Sequence, residues 1–159
     1  MSAVGHPLSI VLAATTILST CTSAAAECEP ALFAEGTPQA DAQASSDDGI
    51  EVWGLFYPPT LADLDGSPVV VEMSSPEGEG HTKVVWRATG NGQFAVDARG
   101  PDGVRIGPVW IQEHVGSNWS RPGGEWGTGW DFPEPGCWTF TITRDDDEAE
   151  ISIEVLPAG

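Results

Sequence analysis

The chain of 159 residues carries 24 Asp and Glu against 6 Lys and Arg, a net charge of −18. So acidic a surface is repelled by phosphate backbones and anionic head groups, which sets aside nucleic acid as a partner and electrostatic adsorption to a membrane. Seven Trp and five Phe oppose the disorder that high net charge can bring, and 19 Gly with 13 Pro favour short strands joined by turns.

Residues 1–26 contain no Asp, Glu, Lys or Arg. Their apolar run, Leu8 to Leu18, is too short to span a bilayer and has the length of a signal-peptide h-region. Only His6 and the amino terminus offer positive charge beside it. Two exits follow. "LSTC" (Leu18 to Cys21) is similar to a bacterial lipobox, in which the cysteine is acylated and becomes the new N-terminus, with Thr20 in place of the usual small residue. "AAA" (Ala24 to Ala26) instead fits an A-x-A site of ordinary secretion. Lipidation at Cys21 is the preferred reading, because a cysteine at the end of an h-region has little other use. Either exit places the mature protein outside the cytoplasm, lipid-anchored or secreted.

With Cys21 lipidated or removed, Cys28 and Cys137 remain as a pair for a disulfide in an oxidising compartment. Residues 27–50 lack strand or helix periodicity beyond the short "ALF" and read as an extended leader pinned near its start by Cys28. From residue 51 to 159 the period is two. "TKVVWRA" turns Val84, Trp86 and Ala88 to one side, and "QFAVDAR" does the same with Phe94, Val96 and Ala98. "CWTFTIT" alternates Trp138, Phe140 and Ile142 against Cys137 and three threonines, while "EISIEV" sets Ile151, Ile153 and Val155 inward. Such alternation marks strands with one buried and one solvated face. "EVWGLFY" and "SPVVVEM" are apolar on both parities and so are central or covered. Turn clusters such as "TGNG", "RGPDG", "RPGG" and "PEPG" separate these segments. The pattern predicts an all-β fold, an antiparallel β-sandwich of about eight short strands.

The stretch "FPEPGCWTFTITRDDDEAEISIEV" resembles the closing hairpin of a bacterial immunoglobulin-like domain. In that family a Pro-Gly turn leads into a strand with an aromatic two residues after the glycine, commonly a tyrosine whose hydroxyl ties down the corner. Trp138 follows Gly136 at that spacing, and its indole can only donate. The resemblance implies an immunoglobulin-like topology. From "GSNWSRPGGEWGTG" through "PGCW" the chain also resembles small secreted or lipid-anchored proteins of actinobacteria, a likeness that brings no activity with it.

Chemistry-bearing motifs are sparse. His81 and His114 have no second ligand at i+2 or i+4, no histidine follows Cys137, and C-x-x-C and H-E-x-x-H are absent, so no metal and no cofactor is expected. The acidic runs "RDDDE" and "DLDG" do not match a calcium loop and read as solvated turns. No G-x-S-x-G elbow occurs, and nothing marks two of the 24 acids as a hydrolytic pair. The sequon "NWS" carries no meaning in a bacterial export pathway. No enzyme is indicated.

What remains is "HVGSNWSRPGGEWGTGW", residues 114–130, with three tryptophans among glycines. Trp126, Thr128 and Trp130 share one strand parity, while Glu125, Gly127 and Gly129 share the other. One expectation is that Trp130 fills the core, with Trp119 the more exposed ring in a preceding loop. The other is a ligand rim of His114, Asn118, Trp119, Arg121 and Trp126 suited to a glycan, the glycines admitting a close neighbour. The sequence is therefore read as a non-enzymatic binding or structural domain of the cell envelope, with a carbohydrate-binding module as the alternative. Its partners would be an envelope component or a glycan, and it would touch the membrane only through an N-terminal lipid.

Overall fold

A computed structural model of the chain describes residues 1, 28–33, 41–45, 49–57, 66–73 and 81–158. Among them, ten strands form two five-stranded sheets, with one 3-10 turn at Pro101–Gly103. The first sheet runs β1 (Asp41–Ser45), β2 (Glu51–Tyr57), β4 (Thr82–Ala88), β8 (Gly124–Trp130), β7 (Trp110–His114), antiparallel throughout. The second runs β3 (Val70–Glu72), β10 (Asp147–Leu156), β9 (Gly136–Arg144), β5 (Phe94–Arg99), β6 (Arg105–Ile106). Only β3 with β10 is parallel. Taken in chain order, β2, β4, β8 and β7 occupy the places of strands A, B, E and D of the immunoglobulin sandwich, and β5, β9 and β10 those of C, F and G. The expected sandwich is present, with ten strands where the pattern pointed to about eight. The strands that were missed, β1, β6 and β7, carry no clean apolar alternation because they are sheet edges.

The domain also begins before residue 51. In the segment expected as an extended leader, the Ala31 N–H donates to Ser152 O and the Val69 N–H to Ala31 O, both at 2.7 Å. Phe33 is buried in the core, and residues 41–45 pair with β2 from Asp41↔Leu55 to Ser45↔Glu51. The leader thus supplies a core aromatic and an edge strand. Phe33 is the one aromatic between residues 27 and 50, and burying it is strongly favourable.

The alternation places the core as expected. Trp86, Phe94, Val96, Trp138 and Phe140 fall in one buried cluster with Ile142, Ile151 and Ile153. Phe140 sits at its centre, its ring centroid 5.1 Å from Trp86, 4.9 Å from Trp130 and 6.0 Å from Phe56. Antibody domains bridge strands B and F with a disulfide; here the corresponding β4 and β9 set Trp86 edge-on against Phe140. Trp130 is fully buried, so the second half of the glycine-rich tryptophan stretch is architecture.

Burying Trp86 and Trp130 requires acceptors for their indole N–H groups. Thr128, itself fully buried, meets both needs. Its Oγ1 accepts from Trp86 Nε1 at 2.8 Å and from Trp130 Nε1 at 2.7 Å, and donates to Val84 O at 3.1 Å. One hydroxyl is thereby saturated, with two acceptor sites and one proton used.

At the corner before β9, Trp138 Nε1 donates to Glu134 O at 3.1 Å. The indole does from a donor-only group what the corner tyrosine does with its hydroxyl. Cys137, one residue earlier and on the opposite parity, faces outward and forms the disulfide with Cys28, with Cα atoms 5.4 Å apart across 109 residues of chain. The bridge and the Ala31 hydrogen bonds tie the N-terminal segment to the β9–β10 side of the sandwich. The acidic hairpin tip is also used structurally. Asp145 Oδ1 accepts from the Gln93 N–H at 2.9 Å, and the Asp145 N–H donates to Gln93 O at 3.2 Å, linking the two turns at that end.

Candidate functional site

The sheet β1-β2-β4-β8-β7 turns one face to the core and the other outward. Pair register defines the outer face: Trp53 and Tyr57 on β2, Lys83 and Arg87 on β4, Glu125, Gly127 and Gly129 on β8, Trp110, Gln112 and His114 on β7. In a chain with six Lys and Arg, two of them and three aromatic rings meet on this single face.

Its polar centre is Glu125, buried although it sits on the outer side. Arg87 Nε donates to Glu125 Oε2 at 2.9 Å, and His114 Nδ1 lies 3.9 Å from Oε1. The other arm of Arg87 reaches the 115–123 loop, where Nη1 donates to Arg121 O at 2.8 Å and to Gly123 O at 3.0 Å. Arg87 therefore neutralises the carboxylate and staples the loop to the sheet. Gly123 permits this approach: its φ is +89°, and a Cβ there would collide with the backbone at Ala88 and Thr89. The Arg121 guanidinium lies over the Trp53 ring at 5.8 Å, and Lys83 Nζ over Tyr57 at 5.6 Å. Burial pushes the Tyr57 hydroxyl above its ordinary pKa, and the negative charge of Glu125 adds to the shift.

Beside this network lies an aromatic floor. A Cβ at Gly129 would run into the pyrrole atoms of Trp110, and one at Gly127 would meet Trp110 Cζ3 at 3.3 Å and His114 Nε2 at 3.1 Å. The indole thus lies along the glycine strip with one face against the β8 backbone and the other toward solvent, and the residue is 37% exposed. Gly127 and Gly129 do admit a close neighbour, and that neighbour is Trp110 of the same chain.

The expected ligand rim divides. His114 and Arg121 meet around Arg87, Glu125 and Trp53 on the outer face. Asn118 and Trp119 lie in the 115–123 loop, Asn118 exposed and Trp119 half-buried, with the Trp119 N–H donating to Ser117 Oγ at 3.0 Å. Trp126 does not belong with them. It projects into the sandwich, stacked on Phe94 at 4.2 Å with an interplanar angle of 3°, and the Arg144 guanidinium covers it at 4.7 Å. The reason is strand parity: Trp126 pairs with Trp86 across the inner face, whereas His114 pairs with Glu125 on the outer one. Sequence reasoning missed Trp110, Trp53 and Arg87. The available signal was Gly-x-Gly in β8, which demands a large neighbour on an adjacent strand of the same sheet. Cys21 lies outside the described residues. Among the described residues, no three His, Cys, Asp or Glu side chains gather as a metal site, and no helix is long and apolar enough to cross a membrane.

No protein-family model matches the chain, and neither a curated protein nor a solved structure shows significant similarity to it.

Proposed function

We propose that this protein is an exported, non-enzymatic binding domain of the cell envelope, tethered through a lipid on Cys21, whose binding surface is the outer face of the β1-β2-β4-β8-β7 sheet. The observation that carries the reading is one face of an otherwise acidic sandwich on which Trp110 and His114 stay partly exposed beside Arg87, the Arg121 loop and the buried ring of Trp53. Export is supported by the Cys28–Cys137 disulfide, a bond that persists in oxidising compartments, and by the h-region ending in "LSTC". The non-enzymatic character rests on the state of the acids. Among the described residues Glu125 is the one acidic residue buried as a whole, and Arg87 holds it in an ion pair, a structural use of the carboxylate.

Expression with an isotopically labelled fatty acid tests the placement. The label should enter wild type and be lost in Cys21→Ala, and wild type should partition into detergent. A mature N-terminus at Glu27, with the protein free in the medium, would replace the tether by simple secretion. Recovery of the whole chain from the cytoplasm with the Cys28 and Cys137 thiols free would overturn the reading.

A further inference from the structure

We infer that the ring of Trp110, with Gln112 and His114 beside it, is a binding platform for a neutral polysaccharide chain lying along β7. The inference deepens the proposed function and rests on its choice of the outer face. Three observations support it. First, the indole is held flat: the Gly127–Gly129 strip leaves no side chain beneath it, so one π-face is backed by β-sheet and the other is open. A rigid, flat, exposed ring stacks on the apolar C–H face of a pyranose at little entropic cost. Second, Gln112 and His114 follow on the same face of the same strand at spacings of about 7 and 13 Å, a reach of two to three sugar rings. An amide and an imidazole donate and accept, which suits the hydroxyls of the sugars beyond the stacked one.

Third, the electrostatics select against charged polymers. Of the cations on this face, Arg87 donates to Glu125, Arg121 O and Gly123 O, Arg121 lies over the Trp53 ring, and Lys83, exposed, lies over Tyr57. These few cations stand against a net charge of −18, which repels an anionic polysaccharide. The same charge opposes a second copy pairing along the open edge of β7, although Val109, Ile111 and Val115 are exposed there.

The test uses the mature chain with its disulfide intact, titrated with cellohexaose, xylohexaose, chitohexaose and mannohexaose, and with polygalacturonate as the anionic counterpart. Tryptophan emission and calorimetry report binding. At least one neutral hexasaccharide should saturate the protein. Trp110→Ala should weaken it by about tenfold or more, equivalent to about 1.4 kcal/mol, with Trp110→Phe in between. Trp119→Ala should leave affinity within about twofold of wild type. Circular dichroism and melting temperatures would establish that each variant is folded, and Trp110→Phe keeps the test open if Trp110→Ala is not. Silence toward all four neutral sugars, affinity untouched by either Trp110 variant, or equal affinity for polygalacturonate would each overturn the inference. So would sedimentation showing a dimer closed over Trp110. A lipidated envelope protein that ignores every glycan would refute this inference alone; a glycan binder confined to the cytoplasm would refute the envelope placement alone.

Discussion

Replacing Thr128 by valine changes almost no volume, yet it should be one of the most damaging substitutions in the domain. The Thr128 hydroxyl is the acceptor for both Trp86 Nε1 and Trp130 Nε1, and each of these indoles is fully buried. Valine leaves two buried donors without partners. At about 1–3 kcal/mol for each orphaned group, the loss is about 2–6 kcal/mol. The additional loss of the bond to Val84 O places the expectation in the upper half of that range. Thr128→Ser keeps the hydroxyl and removes one methyl from a packed core, a cost of about 1 kcal/mol. Urea denaturation followed by tryptophan emission should therefore rank wild type above serine and serine well above valine. A burial-only account makes the opposite prediction, because valine is the isosteric apolar residue and the better strand former. If valine proves equal to or more stable than serine, the hydroxyl is not the shared acceptor and the account of this core fails.

Other consequences follow from the same structure. Phe140→Ala removes the ring that Trp86, Trp130 and Phe56 surround and should cost about 3–5 kcal/mol in the same assay, as should Trp138→Ala; less than about 1 kcal/mol at either site would mean the core is placed wrongly. Trp138→Tyr should exceed Trp138→Phe in stability by about 1 kcal/mol, since a phenol can still donate to Glu134 O and a phenyl cannot; equal stabilities would remove the corner hydrogen bond from the account. Peptide mapping without reductant should recover Cys28 linked to Cys137, and the double serine variant should lose about 3–5 kcal/mol, given a closed loop of about 100 residues. Tyr57 is the only tyrosine, so ultraviolet titration reads it directly. Its native midpoint should lie above the ordinary phenol value of about 10. The sign follows: the neutral phenol is favoured in the folded state, so this contribution is whole below the unfolded pKa and is lost as pH rises through the folded one. A native midpoint at or below that of the urea-unfolded chain would contradict the shift.

The sandwich was legible where strands are central. Trp86, Phe94, Trp138, Phe140 and Ile153 lie on strands flanked on both sides, and one buried face against one outer face leaves a period of two. It was illegible at three of the four sheet edges, β3 with its valine run being the exception. β1, "DAQAS", and β7, "WIQEH", have a neighbour on one side only, so their residues answer to pairing and not to burial. The same limit explains the candidate site. Parity correctly separated Trp126, Thr128 and Trp130 from Glu125, Gly127 and Gly129, but it could not say which set faces the opposite sheet. Once Trp126 and Trp130 are inside, the aromatic for the outer face comes from Trp110, brought over the glycines by a strand pairing that local sequence does not announce. Arg87 is a similar case. Its partners, Glu125 and the carbonyls of Arg121 and Gly123, stand more than thirty residues away.

The outer face is most directly tested in living cells. A photoreactive amino acid at position 112, between Trp110 and His114, should cross-link to an envelope component on irradiation. The same group at position 141, on the outer face of the opposite sheet, should yield no such adduct. Adducts of equal yield at both positions, or at 141 alone, would contradict the assignment of binding to the β1-β2-β4-β8-β7 face.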